Sequence, residues 1–139
     1  MTTYTTTKTD SVSDPTKANI GIMSVWATVE TTALTTGTIY QMVKIPVGAT
    51  IVKVTLATDD LDSNGSPTIT LSVGDGTTPA RFISASTVGQ AGGVVREDVV
   101  AGVGYKYTAD DTIDVEVTNQ AATAAQGTIT LAVLYAMDE

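Results

Sequence analysis

The stretch Thr112-Ile-Asp-Val-Glu-Val117 alternates strictly between apolar and polar residues. Such alternation predicts a β-strand with one buried face and one wet face, because successive side chains of a strand point to opposite sides. Its isoleucine and valines are therefore expected in a core, whereas Asp114 and Glu116 are expected in water. A slip of one residue would bury both carboxylates, so the pairing register of this strand is well specified.

The same alternation recurs along the chain. It is clear in Thr68-Ile-Thr-Leu-Ser-Val73, in Thr128-Ile-Thr-Leu-Ala-Val133 and from Val52 to Leu56. Weaker candidates cover residues 20–29, 38–45, 81–85 and 94–99. Glycine and proline turns separate these runs, and no amphipathic helix lies between them. The pattern predicts an all-β fold, a β-sandwich of the jelly-roll or immunoglobulin-like type; of these we expect a jelly roll of about eight antiparallel strands.

The chain has 139 residues, which is a common size for one domain with one core. Residues 1–17 hold threonine, serine, aspartate and lysine with hardly any large apolar side chain, so they cannot offset their own ordering entropy. We predict a flexible N-terminal arm over residues 1–17 and a single β-sandwich domain over residues 18–139. A sandwich core has to be filled, and large apolar side chains are scarce in this sequence. Trp26 and Phe82 are therefore expected in the core.

The charge and composition exclude several classes of partner. A net charge of −8 disfavours binding to a phosphate backbone, so no nucleic acid is expected. The sequence has no apolar run near the roughly 20 residues of a spanning helix, and its start lacks the features of a signal peptide. We therefore expect no membrane partner. The absence of cysteine fits synthesis in a cytoplasm and excludes disulfides.

No catalytic chemistry is evident in the sequence. The chain contains no histidine and no cysteine, which removes the serine–histidine and cysteine–histidine nucleophile systems and the usual zinc ligands. Two carboxylate pairs, Asp114 with Glu116 and Asp110 with Asp111, leave open a hydrolase that uses carboxylates alone. Such an enzyme needs one carboxyl group desolvated in a cleft, whereas the alternating strand predicts both in water. We expect neither an enzyme nor a cofactor.

A weak candidate for a metal site is the loop with Asp60, Asp62 and Asn64, which matches the first half of a calcium-binding loop. The position of the closing glutamate is held by Leu71, inside a predicted strand, so the motif is incomplete. The same residue types are also common in polar hairpin turns.

A candidate interface is a contact patch of Tyr105 and Tyr107. These residues share one face of an alternating segment and could pack in a protein interface or in the core.

Five segments resemble small capsid-associated proteins of tailed bacteriophages, in particular the cement or decoration proteins of short-tailed phages of the Bordetella-phage type. These segments are residues 44–56, 71–76, 81–84, 107–115 and 127–135. The resemblance implies a jelly-roll subunit, often a homotrimer, on the exterior of an icosahedral capsid. It also implies that the major capsid protein is the partner and that the subunit cements neighbouring capsid proteins. It carries no catalytic or cofactor residues.

The alternative is a non-catalytic binding module, such as a phage fibre or tail domain or a carbohydrate-recognition domain. β-Sandwiches serve all of these roles, and a fold alone does not fix a function. A groove lined with aromatic residues would favour a carbohydrate-recognition domain.

Overall fold

The computed structural model describes residues 21–137, which form two four-stranded antiparallel β-sheets packed face to face. The strands in chain order are β1 (Gly21–Glu30), β2 (Ile39–Ile45), β3 (Ala49–Thr58), β4 (Thr70–Gly74), β5 (Ile83–Ser86), β6 (Gly93–Arg96), β7 (Asp111–Asn119) and β8 (Thr128–Met137). Two short 3-10 helices, Val88–Gln90 and Val100–Gly102, flank β6. Within this part of the chain, no helix has the length and apolarity needed to cross a membrane. The predicted arm, residues 1–17, lies outside the described residues.

The order of the strands identifies the type of sandwich. The first sheet has the order β1-β8-β3-β6, and the second sheet has the order β2-β7-β4-β5. Every connection except that from β4 to β5 crosses from one sheet to the other. This is the topology of an eight-stranded jelly roll. The predicted fold is therefore confirmed.

Each of the eight predicted strands has a counterpart, and the differences lie at strand ends. The predicted strand that begins at Thr68 begins instead at Thr70. The backbone N–H of Thr68 donates to the carboxylate of Asp62 at 2.8 Å, so this residue belongs to a loop held by a side chain. Local alternation cannot reveal that competing acceptor, because Asp62 lies outside the alternating run.

The core lies between the two sheets and consists mainly of branched aliphatic side chains, with Phe82 and Tyr107 as its buried aromatic residues. Phe82 is fully buried, as predicted. Trp26, by contrast, is 68% exposed, and its predicted place in the core is wrong. Along β1, Val25, Ala27 and Val29 pack against the core. Trp26 has the opposite parity, so its side chain lies on the outer face of the first sheet.

Candidate protein-interaction surface

The outer face of the first sheet is a broad surface with few charges, which we call the Trp26 face. The pairing register places on it the outward side chains of four neighbouring strands. These are Ile22, Ser24, Trp26, Thr28, Glu30, Thr50, Lys53, Thr55, Ala57, Val94, Arg96, Thr128, Thr130, Ala132, Leu134 and Ala136. Most of them are threonine, alanine or larger aliphatic residues, which carry no charge, so covering them costs less hydration energy than covering charged side chains.

Trp26 begins a row of side chains that crosses the whole sheet. It is paired with Ala132, Ala132 is paired with Thr55, and Thr55 is paired with Arg96. Since neighbouring strands lie about 4.8 Å apart, the row spans about 14 Å. The alanine next to the indole is too small to cover it, which explains why so much of the indole remains exposed.

The charge of the Trp26 face differs from that of the molecule as a whole. This face carries the acidic side chain of Glu30 and, just after β3 and opposite Thr128, that of Asp59, together with the basic side chains of Lys53 and Arg96. The whole chain carries a net charge of −8, so its acidic excess lies elsewhere. Exposed apolar groups on a surface of low charge are typical of protein–protein contacts.

The outer face of the second sheet is polar, and it corrects one prediction. Glu116 is half-buried, but Asp114 is only 7% exposed, so the prediction of both carboxylates in water is wrong for Asp114. The connection after β4 covers it, because Gly76 and Pro79 line the same pocket as Asp114. The hydroxyl of Thr112 donates to Asp114 Oδ1 at 2.8 Å.

The buried Asp114 has the desolvated carboxyl group that carboxylate hydrolysis requires, but it lacks space for a substrate. Burial raises the pKa of Asp114, the Thr112 hydroxyl opposes this shift, and the negative charges of Asp111 and Asp75 add to it. The pocket beside it has a volume of about 50 Å³. Ligand pockets usually measure roughly 300–1,000 Å³, so this pocket fits water rather than a sugar.

The second carboxylate pair lies at a turn beside an open groove of about 560 Å³. Asp110 and Asp111 line this groove with Lys44, Pro46 and Thr112, among others. Asp110 Oδ1 accepts the backbone N–H of Val47 at 2.8 Å, and Asp111 Oδ1 accepts the N–H of Thr112 at 2.7 Å. Asp110 thus joins the segment before β7 to the turn between β2 and β3, whereas Asp111 bonds the next residue of β7.

The structure brings the three calcium candidates into one loop, where they bind backbone groups. Asp62 is buried, and its two oxygens accept N–H groups from five residues, namely Asn64, Thr68, Ile69, Ala122 and Thr123. Asp60 accepts the N–H of Asp62, and Asn64 accepts the N–H of Ser66. Within residues 21–137, no group of three acidic, histidine or cysteine side chains is arranged to hold a metal ion. The loop geometry is therefore explained by the donors of the chain itself.

The two tyrosines contact each other, and one of them belongs to the core. Tyr107 is 3% exposed, its ring meets that of half-buried Tyr105 edge to face at 5.0 Å, and its hydroxyl donates to Asp75 at 2.8 Å. The guanidinium of Arg81 lies 3.8 Å from the centre of the Tyr105 ring and pairs with Asp75 at 2.6 Å. Tyr107 is therefore inaccessible to a partner, and an interface role for Tyr105 stays a prediction.

The Trp26 face was not predicted from the sequence, because the large side chain of Trp26 was expected to fill the core. The alternation of Val25, Ala27 and Val29 was the signal that could have found it, since it assigns Trp26 to the opposite side of β1.

The chain is thus a jelly-roll β-sandwich with an exposed apolar face of low charge, and such faces are typical of protein–protein contacts. Comparison with solved structures gives the family. The chain is 32% identical to a chain in the capsid asymmetric unit of cyanophage Pam1, with a TM-score of 0.84 and coverage of 99% of this chain and 100% of that one. It is 32% identical to a chain in the capsid of Ralstonia phage GP4, with a TM-score of 0.78 and 90% coverage of both.

The chain belongs to this family of phage capsid proteins. A chain in the capsid of the Helicobacter pylori bacteriophage KHP30 shares the fold, with a TM-score of 0.63 at 23% identity over 86% of this chain and 94% of that chain. No protein-family model and no curated protein matches the sequence. The family supports a structural role in a virion.

Proposed function

We propose that this protein binds the outer surface of an icosahedral phage capsid and stabilises it by cementing neighbouring subunits of the major capsid protein. Two observations support this proposal: the 32% identity to phage capsid chains over most of the sequence, and the Trp26 face. The observation that carries it is the Trp26 face, because a protein-binding surface is what a cementing subunit requires.

The mechanism is mass action on the assembled shell. A subunit that lies across the junction of several capsid proteins contacts all of them only when they are assembled. Binding to that state alone lowers its free energy relative to the dissociated state. The role needs contact area and no bond-breaking chemistry, so the proposal describes a non-catalytic protein.

We orient the subunit with the Trp26 face against the capsid. Burying the exposed side chains of Ile22, Trp26 and Val94 removes apolar surface from water, which is favourable. The acidic remainder of the molecule then points to solvent on the exterior of the virion, where it keeps its hydration.

The proposal includes self-association, for which the resemblance to cement proteins implies a homotrimer. Linked copies raise the effective concentration of each contact with the shell, so several weak contacts give strong binding. Residues 1–17, which lie outside the described part of the chain, are proposed to bind a neighbouring subunit. Light scattering of the purified protein measures the number of chains.

Co-sedimentation with capsids that lack this protein tests the proposal. We expect the wild-type protein to pellet with these shells and to raise the temperature at which they dissociate. Exposed Ala132 lies at the centre of the Trp26 face, and Ala132→Glu should raise the Kd at least tenfold, which is about 1.4 kcal/mol. The carboxylate introduced by this substitution would be buried in the contact with no group positioned to pair with it.

Gln41→Glu is the matched control, since it adds the same charge at an exposed position on the outer face of the second sheet. We expect it to bind shells as the wild-type protein does. A wild-type protein that stays in the supernatant with such shells contradicts the proposed function. If it binds glycans on an array instead, the carbohydrate-recognition alternative is supported.

A further inference from the structure

Strand β1 lies at the edge of the first sheet. Within residues 21–137 it pairs only with β8, and this pairing runs without interruption from Gly21 to Glu30. The backbone groups on the other side of β1 therefore have no strand partner in the described part of the chain. An edge of ten residues is long for a protein of this size.

The other three edges carry features that discourage pairing with a further strand. Strands β5 and β6 have only four residues each, and Ala85 in β5 has a left-handed backbone with φ 47°. Strand β2 has a register shift between Gln41 and Val43, followed by exposed Lys44. Short length, bulges and edge lysines are the usual protection against edge-to-edge association. β1 has no bulge and no proline, and its only charge is at its last residue.

The hydrogen-bonding phase shows which residues face the open edge. The N–H of Thr31 donates to the carbonyl of Gly127 at 2.9 Å, in continuation of the β1–β8 register. Because an antiparallel ladder alternates, the odd-numbered residues of β1 bond to β8 and the even-numbered ones turn their N–H and C=O groups outward. The outward groups therefore belong to the residues whose side chains lie on the Trp26 face, including Ser24, Trp26 and Thr28.

We propose that β1 of one copy pairs antiparallel with β1 of a second copy, with Trp26 opposite Trp26. In this register Ser24 faces Thr28 and Ile22 faces Glu30, so that each of these pairs joins two residues with outward backbone groups. Core-facing residues of one β1 meet core-facing residues of the other, since residues of equal parity face each other. The two first sheets become one eight-stranded sheet with a continuous Trp26 face. This contact does not depend on the proposed binding to capsids.

Charge favours a second copy in this orientation. Two copies of a protein with a net charge of −8 repel each other at most surfaces, but β1 is neutral except at Glu30. Antiparallel pairing holds the two Glu30 carboxylates at opposite ends of the contact, about 26 Å apart, whereas parallel pairing would place them side by side. The two indoles face each other with Cβ atoms about 5 Å apart, a distance at which cross-strand aromatic pairs are stabilising.

The contact is twofold, and it therefore predicts an even number of chains. If single subunits pair, the particle has two chains; if all three β1 strands of one proposed trimer pair with those of a second trimer, it has six. Light scattering after size-exclusion chromatography should give one of these masses for the wild-type protein. Trp26→Lys places two cations opposite each other and should halve the mass. Val94→Lys is the control, since Val94 is 69% exposed on the same face but on β6, and it should leave the mass unchanged.

A second variant keeps the tryptophan and removes one outward N–H. Ser24→Pro should be tolerated in the fold because proline is accepted in edge strands where the N–H faces outward. Trp26 is the only tryptophan, so the tryptophan fluorescence of the purified protein reports on the surroundings of this residue. We expect the wild-type emission to shift to shorter wavelength as protein concentration rises, and the Ser24→Pro emission to stay constant. An odd number of chains in the wild-type protein, or emission independent of its concentration, overturns the proposal.

Discussion

Two buried aspartates differ in pKa because they meet different donors. Burial raises the pKa of both carboxyl groups. At Asp62 the backbone N–H groups of Thr123, Thr68, Ala122 and Asn64 outweigh burial and hold the pKa far below its ordinary value. Asp114 receives one hydroxyl hydrogen bond and lies near other carboxylates, so its pKa remains above the ordinary value. The number of donors, rather than burial, decides the direction.

The raised pKa of Asp114 predicts a stabilising substitution. A group whose pKa is higher in the folded state than in the unfolded state contributes stability below its unfolded pKa and loses it as pH rises through the folded pKa. At pH 7 the wild-type protein therefore holds an unfavourable buried charge, and Asp114→Asn should raise the Tm. The gain should shrink as pH falls toward 3.8, the ordinary pKa of an aspartate.

Thermal unfolding of both proteins at several pH values measures this difference. Comparing the two at each pH cancels the contributions of Asp62, Asp75 and Glu97, whose lowered pKa values make their stabilisation fall on acidification. An Asp114→Asn protein that melts below the wild-type protein at pH 7 contradicts the assignment of a net cost to the Asp114 charge.

At the scale of elements, one polar cluster joins the connection between β4 and β5 to the segment before β7. Asp75 receives N–H groups from Thr77 and Thr78, the guanidinium of Arg81 and the hydroxyl of Tyr107. Burial opposes ionisation, but these donors, Arg81 foremost, lower the pKa of Asp75. The cluster fixes the connection that covers Asp114, which explains how a residue of an outward face becomes buried.

Tyr107→Phe tests the strength of this cluster. The substitution removes the hydroxyl from Asp75 and keeps the ring, so it should lower the free energy of unfolding by about 1–3 kcal/mol, as expected for a lost hydrogen bond to a charged group. Urea unfolding at neutral pH measures this loss. Tyr105→Phe is the control, because the contacts of Tyr105 are made by its ring. Equal losses in the two variants would show that the Tyr107–Asp75 bond adds no stability.

At the scale of the whole molecule, charge is distributed unevenly between the faces. The Trp26 face carries Lys53, Arg96, Glu30 and, just after β3, Asp59, whereas the outer face of the second sheet carries Lys44, Asp114 and Glu116 and borders Asp75. A docking contact through the Trp26 face depends mainly on apolar burial, which salt does not screen. A contact through the acidic surface would depend strongly on ionic strength.

This difference predicts a weak salt dependence of capsid binding. Between roughly 0.05 and 0.5 M NaCl, where the screening length falls from about 14 to about 4 Å, the Kd for shells should change less than about threefold. Co-sedimentation at each salt concentration measures it. A change of tenfold or more would indicate that the acidic surfaces form the contact and would contradict the orientation proposed for the subunit.

The sequence by itself determined the eight strands and the register of β7. Alternation is a property of a few consecutive residues, and the pleat of a strand converts it directly into two faces. The position of Trp26 was determined in the same way, although the size of its side chain suggested the core.

Only the tertiary structure decided which strands are neighbours, and with them which edge stays open and which outward residue is covered. Asp114 obeys its alternation and is still buried, because a connection more than 30 residues away in the sequence folds over it. β1 resembles the other strands in sequence, and within residues 21–137 it is an edge strand because only β8 pairs with it. Local geometry fixes the side to which a residue points, but long-range packing determines what it meets there.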